Sequence, residues 1–551
     1  MSATKQAAAG SGVVLLTLAS GQFLMTLDSS VMNVSIATVA KDVGTTVSGI
    51  QTAITFYTLV MAALMITGGK LGQILGRKRA FGIGCIIYAA GSFVTAISQS
   101  LTVLIIGWSC LEGIGAALIL PAIVALVASN FAPEGRPRAY GLVASAGAIA
   151  VAAGPLIGGL FTTYASWRWV FVGEVLIVLA ILAVGRRIED SPPTEKPRLD
   201  LVGTALSALG LGLVVFAILK AGTWGFIQAR PDGPTWLGLS PAIWLMLAGG
   251  VTLWLFLRWE NRKLKQGEEP LIDPSILLNR QLRGGLAGFF FQYLVQAGLF
   301  FAVPLFLSVA LGLSAIDTGV RLLPLSVTLL LAAVGIPKLL PDVSPRKVVR
   351  FGFMSLFAGV VVMAAALEAG AGPEIVTWPM LLAGLGIGAL ASQLGSVTVS
   401  AVGDEQSAEV GGLQNTVTNL GASIGTALSG AVLVAALTSS LMAGIQHNPA
   451  VPAEVKSQAT TQLSSGVPFV SDKDLEAALQ KANVPKSTAD EIVKENSAAR
   501  LDALRASLSA IALIALAALF LGGSIPDEQP GGVEAEARAE PQPTPSAALT
   551  D

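Results

Sequence analysis

Three acidic residues lie inside long apolar segments of the sequence, where an ionisable side chain is costly. Asp28 and Glu112 lie near the middle of such segments, and Glu174 lies near the start of another. An acid at the centre of a membrane helix costs about 2.5–3.5 kcal/mol on insertion scales, so it needs a partner, water or a function. Because burial disfavours a charged carboxylate, each acid is a candidate for binding and releasing a proton. A structural hydrogen bond is the alternative for each of them.

Amide and hydroxyl side chains recur four residues apart in two other apolar segments. This spacing places them on shared helix faces. Such a stripe either joins helices by hydrogen bonds or lines a polar cavity, and the spacing is compatible with both. The residues are Gln292 and Gln296 in one segment, and Gln414, Asn415, Thr418 and Asn419 in the other.

The residue types that build active sites and metal centres are scarce in this chain. His447 is the single histidine, and Cys85 and Cys110 both lie in apolar runs, where a thiol is usually a core residue. The run Gly68-Gly69-Lys70 lacks the spacing of a phosphate-binding loop. We therefore expect a chain that is not an enzyme and holds no metal and no cofactor.

Composition indicates a membrane protein. Hydrophobic residues make up 53% of the chain and charged residues 13%, with a mean hydropathy of +0.70, whereas roughly a quarter of a soluble chain is charged. The net charge of −1 excludes a strongly basic nucleic-acid binder. Backbone polar groups in lipid must be satisfied within their segment, so these long apolar runs are helices. The fourteen predicted spans are 12–38, 48–69, 80–99, 102–127, 138–161, 169–185, 201–219, 240–257, 284–310, 318–340, 348–368, 376–402, 407–438 and 501–523.

The basic residues predict the orientation of these helices. With a cytoplasmic N-terminus, twenty Lys and Arg residues fall in inner loops and five in short outer loops, which is a positive-inside bias. Both termini are then cytoplasmic. Residues 444–500 are expected to form a solvated helical cap outside, with direct substrate handling as the alternative, and Ser471 and Ser487 each begin a capping-box-like pattern. The tail from Pro526 is expected to be disordered.

Three motifs resemble signatures of the major facilitator superfamily. The loop from Gly69 to Arg79 is similar to the loop 2–3 signature, although Gln73 stands where an acid is usual. Gly154-Pro155 with Gly158-Gly159 resembles the fifth-helix signature of the antiporters, which favours export. Leu27 to Val34 resembles the first-helix signature of the fourteen-helix drug:proton antiporters. The residues that these motifs assign to conformational change are Gly69, Gly72, Gln73, Gly76, Arg77, Lys78, Gly154, Pro155, Gly158 and Gly159.

The resemblance implies an all-α fold of two six-helix bundles with two inserted helices, fourteen transmembrane helices in all. The implied divisions are residues 1–190 for the N-terminal bundle, 191–283 for the inserted helices and their cytoplasmic linkers, 284–525 for the C-terminal bundle with the outer loop 444–500, and 526–551 for the cytoplasmic tail.

The resemblance also implies a central cavity at which helices 1 and 4 face helices 9 and 12. Asp28, Glu112 and Glu174 are then expected to couple transport to protons. In place of the last two acids, the family more often has glutamine and asparagine. The residues expected to bind substrate are Asn33, Gln292, Gln296, Gln414, Asn415 and Asn419.

The predicted function is proton-coupled export of amphipathic, cationic or neutral small molecules such as drugs. The protein is expected to act as a monomer in the cell membrane, with its substrate, protons and the lipid bilayer as partners and with no nucleic acid. One alternative is an exporter of an endogenous lipid or secondary metabolite. Another is a receptor or lipid scaffold that transports nothing.

Overall fold

The computed structural model is helical throughout the part of the chain that it describes. The described residues are 2–131, 136–186, 188, 199–230, 233–402, 407–453, 456–457, 467, 469–482 and 484–527. Thirteen described helices are long and apolar enough to cross a membrane, and one further helix, bent by 43°, brings the number to fourteen. The prediction of fourteen spans is therefore confirmed. The predicted tail lies outside the described residues, apart from Pro526 and Asp527.

Fifteen long or medium helices follow one another in the described residues. They are α1 (Ser2–Asp42), α2 (Val47–Leu75), α3 (Arg77–Ala96), α4 in three parts (Leu101–Leu104, the π-helical Ile105–Glu112, and Gly113–Asn130), α5 (Arg136–Tyr164), α6 (Arg168–Gly185), α7 (Leu201–Trp224), α8 (Pro241–Lys265), α9 (Arg280–Leu305), α10 (Ala315–Leu339), α11 (Pro345–Ala366), α12 (Thr377–Val399), α13 (Ser407–His447), α14 (Asp472–Lys481) and α15 (Lys486–Leu519).

Polar residues begin several of these helices by accepting free backbone N–H groups. Thr46 accepts from the N–H of Gly49 at the start of α2, and Ser314 does the same for Asp317 at the start of α10. Asp200 accepts from two N–H groups at the start of α7. These caps fix the residues at which the helices begin.

The bend in the membrane helices lies in α5, between Ser145–Val151 and Ala153–Tyr164. Pro155 has no N–H to donate to the preceding turn, which is a common cause of such a bend. Pro155 thus accounts for the bend. The helix α5 packs against both α1 and α10.

The two bundles touch directly at the end of the molecule that holds Thr46 and Ser314, which we call the Thr46 end. There the N–H of Ile316 in α10 donates to Oγ1 of Thr163 in α5 at 3.0 Å. On the other side, Gln51 of α2 donates to the carbonyl oxygen of Thr426 in α13 at 3.0 Å. The molecule is closed at this end, which the basic residues assign to the outside.

The two inserted helices lie along one side of the bundles, where α7 packs against both α2 and α13 while α8 packs against α7. Thr67 of α2 donates to Thr204 of α7 at 3.2 Å. A Cβ atom at Gly222 of α7 would lie 2.6 Å from Cα of Ala431 in α13. The helix α7 thus covers the seam between α2 and α13.

A buried acid ties the inserted helices to the linker that follows them. Glu260 of α8 is 0% exposed, and its Oε2 accepts from the N–H groups of Leu271 at 2.5 Å and Ile272 at 3.2 Å. Nearby, Nε1 of Trp259 donates to Asp200 at 2.8 Å. Neither acid stands out in the sequence, because the bond from Trp259 to Asp200 and those from the linker to Glu260 depend on how the chain folds back on itself.

Part of the polar region 444–500 continues the membrane helices. The helix α13 runs on to His447, and α15 begins at Lys486, well before the predicted span 501–523. Ser471 caps α14, as its pattern predicts. The corresponding prediction for Ser487 is wrong, because α15 has already begun and Pro485 occupies its N-cap position.

Candidate proton and substrate sites

Three helices bring the three acids of the sequence analysis to one place. Asp28 comes from α1, Glu112 from α4 and Glu174 from α6, and one carboxyl oxygen of each lies within 4.8 Å of the others. Their exposed fractions are 0%, 0% and 1%. We call these residues the carboxyl cluster. The sequence indicated three separate acids, and their convergence comes from the fold.

The Asp28 carboxyl is held by an indole. Nε1 of Trp108 donates to Oδ1 and to Oδ2 of Asp28, in each case at 2.8 Å. The ring of Tyr57 stacks on the Trp108 ring, with centroids 5.0 Å apart and planes 9° from parallel. A buried indole N–H needs an acceptor, so this contact holds the side chains of Trp108 and Asp28 in position against each other.

Hydroxyl groups hold the other two acids. Thr95 donates to Oε1 of Glu112 at 3.0 Å. Tyr88 and Ser92 donate to Oε2 of Glu174 at 3.2 and 3.1 Å. The second oxygen of each glutamate, Oε2 of Glu112 and Oε1 of Glu174, has no hydrogen-bond partner among the described residues. Each of the two glutamates therefore keeps one oxygen free for a proton or for another ligand.

The carboxyl cluster has no basic partner in the described part of the chain: no ion pair there involves Asp28, Glu112 or Glu174. Three negative charges this close together and out of water repel one another and lose their hydration. The arrangement is therefore suited to holding protons and to changing their number.

A π-helical turn positions the α4 side of the cluster. Residues Ile105–Glu112 form this turn, which ends at the acid itself, and π-helical turns occur frequently at functional sites. The neighbouring helix α3 comes very close here, because a Cβ atom at Gly91 would lie 2.6 Å from Cγ of Glu112. Thr95 reaches Glu112 from the same helix. Glycine at position 91 thus allows the contact between α3 and α4.

Sequence reasoning missed the residues that donate to the cluster: Tyr88, Ser92, Thr95 and Trp108, together with Tyr57, which stacks on the indole. One signal was available, because aromatic residues with a polar atom rarely lie in a buried helix without a partner. That signal indicates a need for an acceptor but does not say which acceptor meets it.

A small cavity lies between the two bundles, on the other side of α1 from the carboxyl cluster. Its polar lining residues are Ser30 and Asn33 from α1 and Ser326 from α10, and Pro155, Phe300 and Pro304 are among its apolar ones. It offers about 10 Å³ for the centre of a water molecule, which is room for roughly one water. Of the predicted substrate-binding residues, Asn33 is the one that lines this cavity.

Gln292 and Gln296 lie on α9, on the helix that supplies Phe300 to the cavity. They are buried, with exposed fractions of 3% and 9%. Their carbonyl oxygens have no hydrogen-bond donor among the described residues. Gln296 precedes Phe300 by four residues, one helical turn. Neither glutamine lines the small cavity in this conformation, but both have an oxygen available for a ligand.

The amides of α13 are half-buried and bond within their own helix. Nδ2 of Asn415 donates to the carbonyl oxygen of Gly411 at 3.0 Å, and Nδ2 of Asn419 donates to that of Asn415 at 2.9 Å. Gln414 is also half-buried. The structure does not bring these three residues to the cavity that Asn33 lines, so their role in substrate binding stays a prediction.

The basic residues at the start of α3 bind the backbone near the ends of neighbouring helices. Arg77 donates to the carbonyl oxygen of Ala125 at 3.1 Å, and Nζ of Lys78 donates to those of Arg186 and Ile188 at 3.0 and 2.6 Å. Gln73 is exposed, and its side chain makes no hydrogen bond with the described residues. The position that is usually acidic thus makes no such contact here.

The glycines of the same motif, two at the end of α2 and one after it, bring α2, α3 and α4 together. A Cβ atom at Gly69 would touch Pro121, and one at Gly72 would touch Ala80, at 3.6 and 3.8 Å. Gly76 joins α2 to α3 with a φ of 98°, a conformation that favours glycine.

The four-residue motif of α5 faces two helices at once. A Cβ atom at Gly154 would overlap Ser30, and one at Gly158 would lie 2.9 Å from Cα of Val31, both in α1. Gly159 and the carbonyl of Pro155 face the other bundle, where Cβ at Gly159 would lie 2.6 Å from the carbonyl oxygen of Ala315 in α10. The motif therefore joins the helix that carries Asp28 to the contact between the bundles.

Comparison with known proteins adds a family to this geometry. The family model of the Major Facilitator Superfamily matches residues 18–426. Similar proteins include the "Probable actinorhodin transporter" of Streptomyces coelicolor, with 29% identity over 81% of this chain and 75% of that protein. The "Tetracenomycin C resistance and export protein" of Streptomyces glaucescens is 28% identical over 76% of this chain and 75% of that protein. The "Drug efflux pump JefA" of Mycobacterium tuberculosis is 26% identical over 78% of this chain and 82% of that protein.

Solved structures share the fold. A bacterial homologue of the human lysosomal transporter Spinster, described as inward-facing and unoccupied, aligns with a TM-score of 0.56 and 14% identity. The alignment covers 94% of this chain and 98% of the other. Similarity at this level of identity concerns the architecture of the helices.

Proposed function

This chain belongs to the major facilitator superfamily, and we propose that it exports amphipathic small molecules from the cell in exchange for protons. The observation that carries the proposal is the carboxyl cluster, in which three buried acids meet within 4.8 Å without a basic partner in the described chain. The names of relatives, which describe drug efflux and antibiotic export, support the direction of transport.

In the proposed cycle, the number of protons on the carboxyl cluster determines how α1, α4 and α6 pack. Loss of a proton leaves a buried charge that only the hydroxyl and indole donors stabilise. The helices then relax to bring water or further donors to the acids. Because Gly154 and Gly158 seat α5 against α1, such a movement reaches the contact between α5 and α10 that closes the Thr46 end.

We propose that α1–α6 and α9–α13 with α15 move as two units, as alternating access requires. The glycines of α5 supply a surface on which α10 can slide or separate. Arg77 and Lys78 at the start of α3 hold the inner ends of α3, α4 and α6 together. Since Gln73 brings no charge to the loop from Gly69 to Arg79, the inner closure is weaker than in a relative with an acid at that position.

We further propose that the protein works as a monomer in the cell membrane with both termini in the cytoplasm. The proposed cycle uses the carboxyl cluster and the cavity of one chain and requires no residue of a second copy. The distribution of basic residues supports the orientation.

A second candidate function is export of a secondary metabolite that the cell itself makes. It is favoured by the names of two relatives, which refer to actinorhodin and to tetracenomycin C. A panel that includes aromatic polyketides beside synthetic drugs separates the two functions. Strong preference for the polyketides would favour the second.

The proposed function is tested in proteoliposomes that contain the purified chain, with a pH gradient imposed by dilution. Uptake of a fluorescent amphipathic compound into proteoliposomes that hold the protein inside-out should depend on the pH gradient. It should stop when a protonophore collapses that gradient. Uptake of every panel member at the rate of protein-free liposomes, with or without the gradient, would contradict the proposal. An unchanged rate after the gradient is collapsed would contradict proton coupling alone.

A further inference from the structure

The carboxyl cluster and the cavity between the bundles lie on opposite sides of α1. Asp28 precedes Ser30 by two residues, which on an α-helix is a rotation of about 200°. The carboxyl of Asp28 contacts Trp108 of α4 and lies within 4.8 Å of Glu174 in α6, whereas Ser30 lines the cavity. The acids therefore lie on the side of α1 that is opposite the cavity.

The helices that hold the cluster also separate it from the second bundle. Donors to Glu112 and Glu174 come from α3, and both α3 and α6 pack against helices of their own bundle. With exposed fractions of 0–1%, the three carboxyls are closed off from the cavity. In this conformation none of them lines the cavity.

The cavity itself is uncharged. Its polar groups are the hydroxyls of Ser30 and Ser326 and the amide of Asn33, and all its other lining residues are apolar. Oγ of Ser326 is buried, at 2% exposure, and has no hydrogen-bond partner among the described residues. The carbonyl oxygens of Gln292 and Gln296 on α9 are free in the same way. Each of these groups can hydrogen-bond to a neutral ligand.

From this separation we infer that this cavity widens to take up the substrate, that the substrates are neutral amphipathic molecules recognised by hydrogen bonds and apolar contact, and that protons bind at a different place from the substrate. A permanent cation in this cavity would lose its hydration and meet no counter-charge, which is unfavourable. The inference rests on the proposed function and narrows its substrate class. Coupling then runs through the packing of α1, because this helix contacts both sites.

The test uses two isosteric tritiated probes that differ by one charge. Both are dansylamides with the same alkyl chain, which ends in a tert-butyl group in one probe and in a trimethylammonium group in the other. Equilibrium dialysis against the purified chain in lipid nanodiscs, corrected with empty nanodiscs, gives the two dissociation constants. We expect the neutral probe to bind about tenfold more tightly or better, because the cation loses hydration without compensation.

Three variants locate the effect. Asn33→Asp places a carboxylate in the cavity with little change of shape, so it should tighten binding of the cation and reverse the preference. Ser326→Asp tests the same effect from α10 if the first variant folds poorly. Asp28→Asn removes a carboxylate from the cluster and should leave the preference between the two probes as it is in the wild type.

Tighter binding of the cation by the wild type would overturn the inference, and so would a selective loss of cation binding in Asp28→Asn. Failure of the neutral probe to bind at all would also contradict it. The proposed function is read separately, from transport of the neutral probe in proteoliposomes. If transport proceeds equally without a pH gradient, proton coupling fails while the substrate class stands.

Discussion

At the scale of single residues, the molecule concentrates an unusual electrostatic cost at one point. Asp28, Glu112 and Glu174 accept five hydrogen bonds from four donors, of which Trp108 alone serves both oxygens of one acid. A donor to a buried acid is worth more than the same bond in water, because its loss leaves the acceptor unsatisfied. The donors therefore decide how readily the cluster carries a charge.

Trp108→Phe removes the N–H that binds Asp28 and keeps an aromatic ring to stack on Tyr57. We expect a loss of about 1–3 kcal/mol of stability, the cost of leaving a buried acceptor without its donor, together with slower proton-driven transport. Thermal unfolding in detergent and transport in proteoliposomes measure the two effects. Trp378→Phe is the control, since Trp378 is 73% exposed. Equal behaviour of the two variants would show that the indole N–H has no special role.

The sequence predicted each acid of the cluster but none of its donors. Asp28 and Glu112 could be singled out because a carboxyl in an apolar segment is costly wherever it lies. Thr95 and Ser92 could not, since small polar residues occur on many helix faces and their partners are set by how α3 meets α4 and α6. Which of Asn33 and Gln292 lines the cavity could not be predicted for the same reason.

At the scale of elements, close helix contacts position the site. Glycines at 91 and 107 allow α3 and α4 to approach, because a Cβ atom at Gly107 would lie 2.8 Å from the backbone nitrogen of Thr95. The contact holds Thr95 against Glu112. The geometry of the cluster is thus a property of the helix pair as much as of the acids.

Gly91→Ala tests this contact. The added methyl would lie 2.6 Å from Cγ of Glu112 and 2.8 Å from the carbonyl oxygen of Gly107, so α3 and α4 must separate. We expect a lower unfolding temperature and impaired proton-driven transport. The control is Gly82→Ala in the same helix, where a Cβ atom meets nothing within 4 Å and the higher helix propensity of alanine should be neutral or stabilising. Wild-type behaviour of Gly91→Ala would mean that the α3–α4 contact is not tight.

Gly159→Ala tests the closure between α5 and α10. Its methyl would lie 2.6 Å from the carbonyl oxygen of Ala315 and 2.7 Å from Cα of Ile316, so the closed Thr46 end should become less stable relative to the open one. A cysteine near this end should react faster with a membrane-impermeant reagent. Gly173→Ala, which meets nothing within 4 Å on α6, is the control. Slower or unchanged labelling in Gly159→Ala would contradict this role.

Helix positions could be predicted well from the sequence, because apolar length and short loops determine them. The ends could not be predicted where a membrane helix continues into water. The extensions of α13 to His447 and of α15 back to Lys486 are polar, so hydropathy does not detect them. The π-helical turn at Ile105–Glu112 likewise has no signature in an apolar run.

At the scale of the whole molecule, two bundles meet at the Thr46 end while α7 covers the seam between α2 and α13. The described hydrogen bonds between the bundles at that end join uncharged groups, as in the bonds from Ile316 to Thr163 and from Gln51 to Thr426. Such contacts can be exchanged for water without leaving a buried charge. The closure is therefore suited to opening and reforming during transport.

The orientation of the molecule can be measured in intact cells. Gln228 and Gln266 are both exposed and lie in loops at opposite ends of α8. A cysteine at Gln228 should react with a membrane-impermeant reagent from outside, and one at Gln266 should react only after the cells are permeabilised, because the inner loops carry the excess of basic residues. The reverse pattern would overturn the orientation.

Proton exchange at the carboxyl cluster is the central claim, and substrate-induced proton release tests it most directly. Purified protein in weakly buffered detergent is mixed with a neutral substrate, and the change in pH is recorded for the wild type and for Asp28→Asn. The account predicts release of protons by the wild type and a clear reduction in the variant, which should still bind substrate. If Asp28→Asn releases as many protons as the wild type and still pumps against a gradient, Asp28 is structural and the account is contradicted.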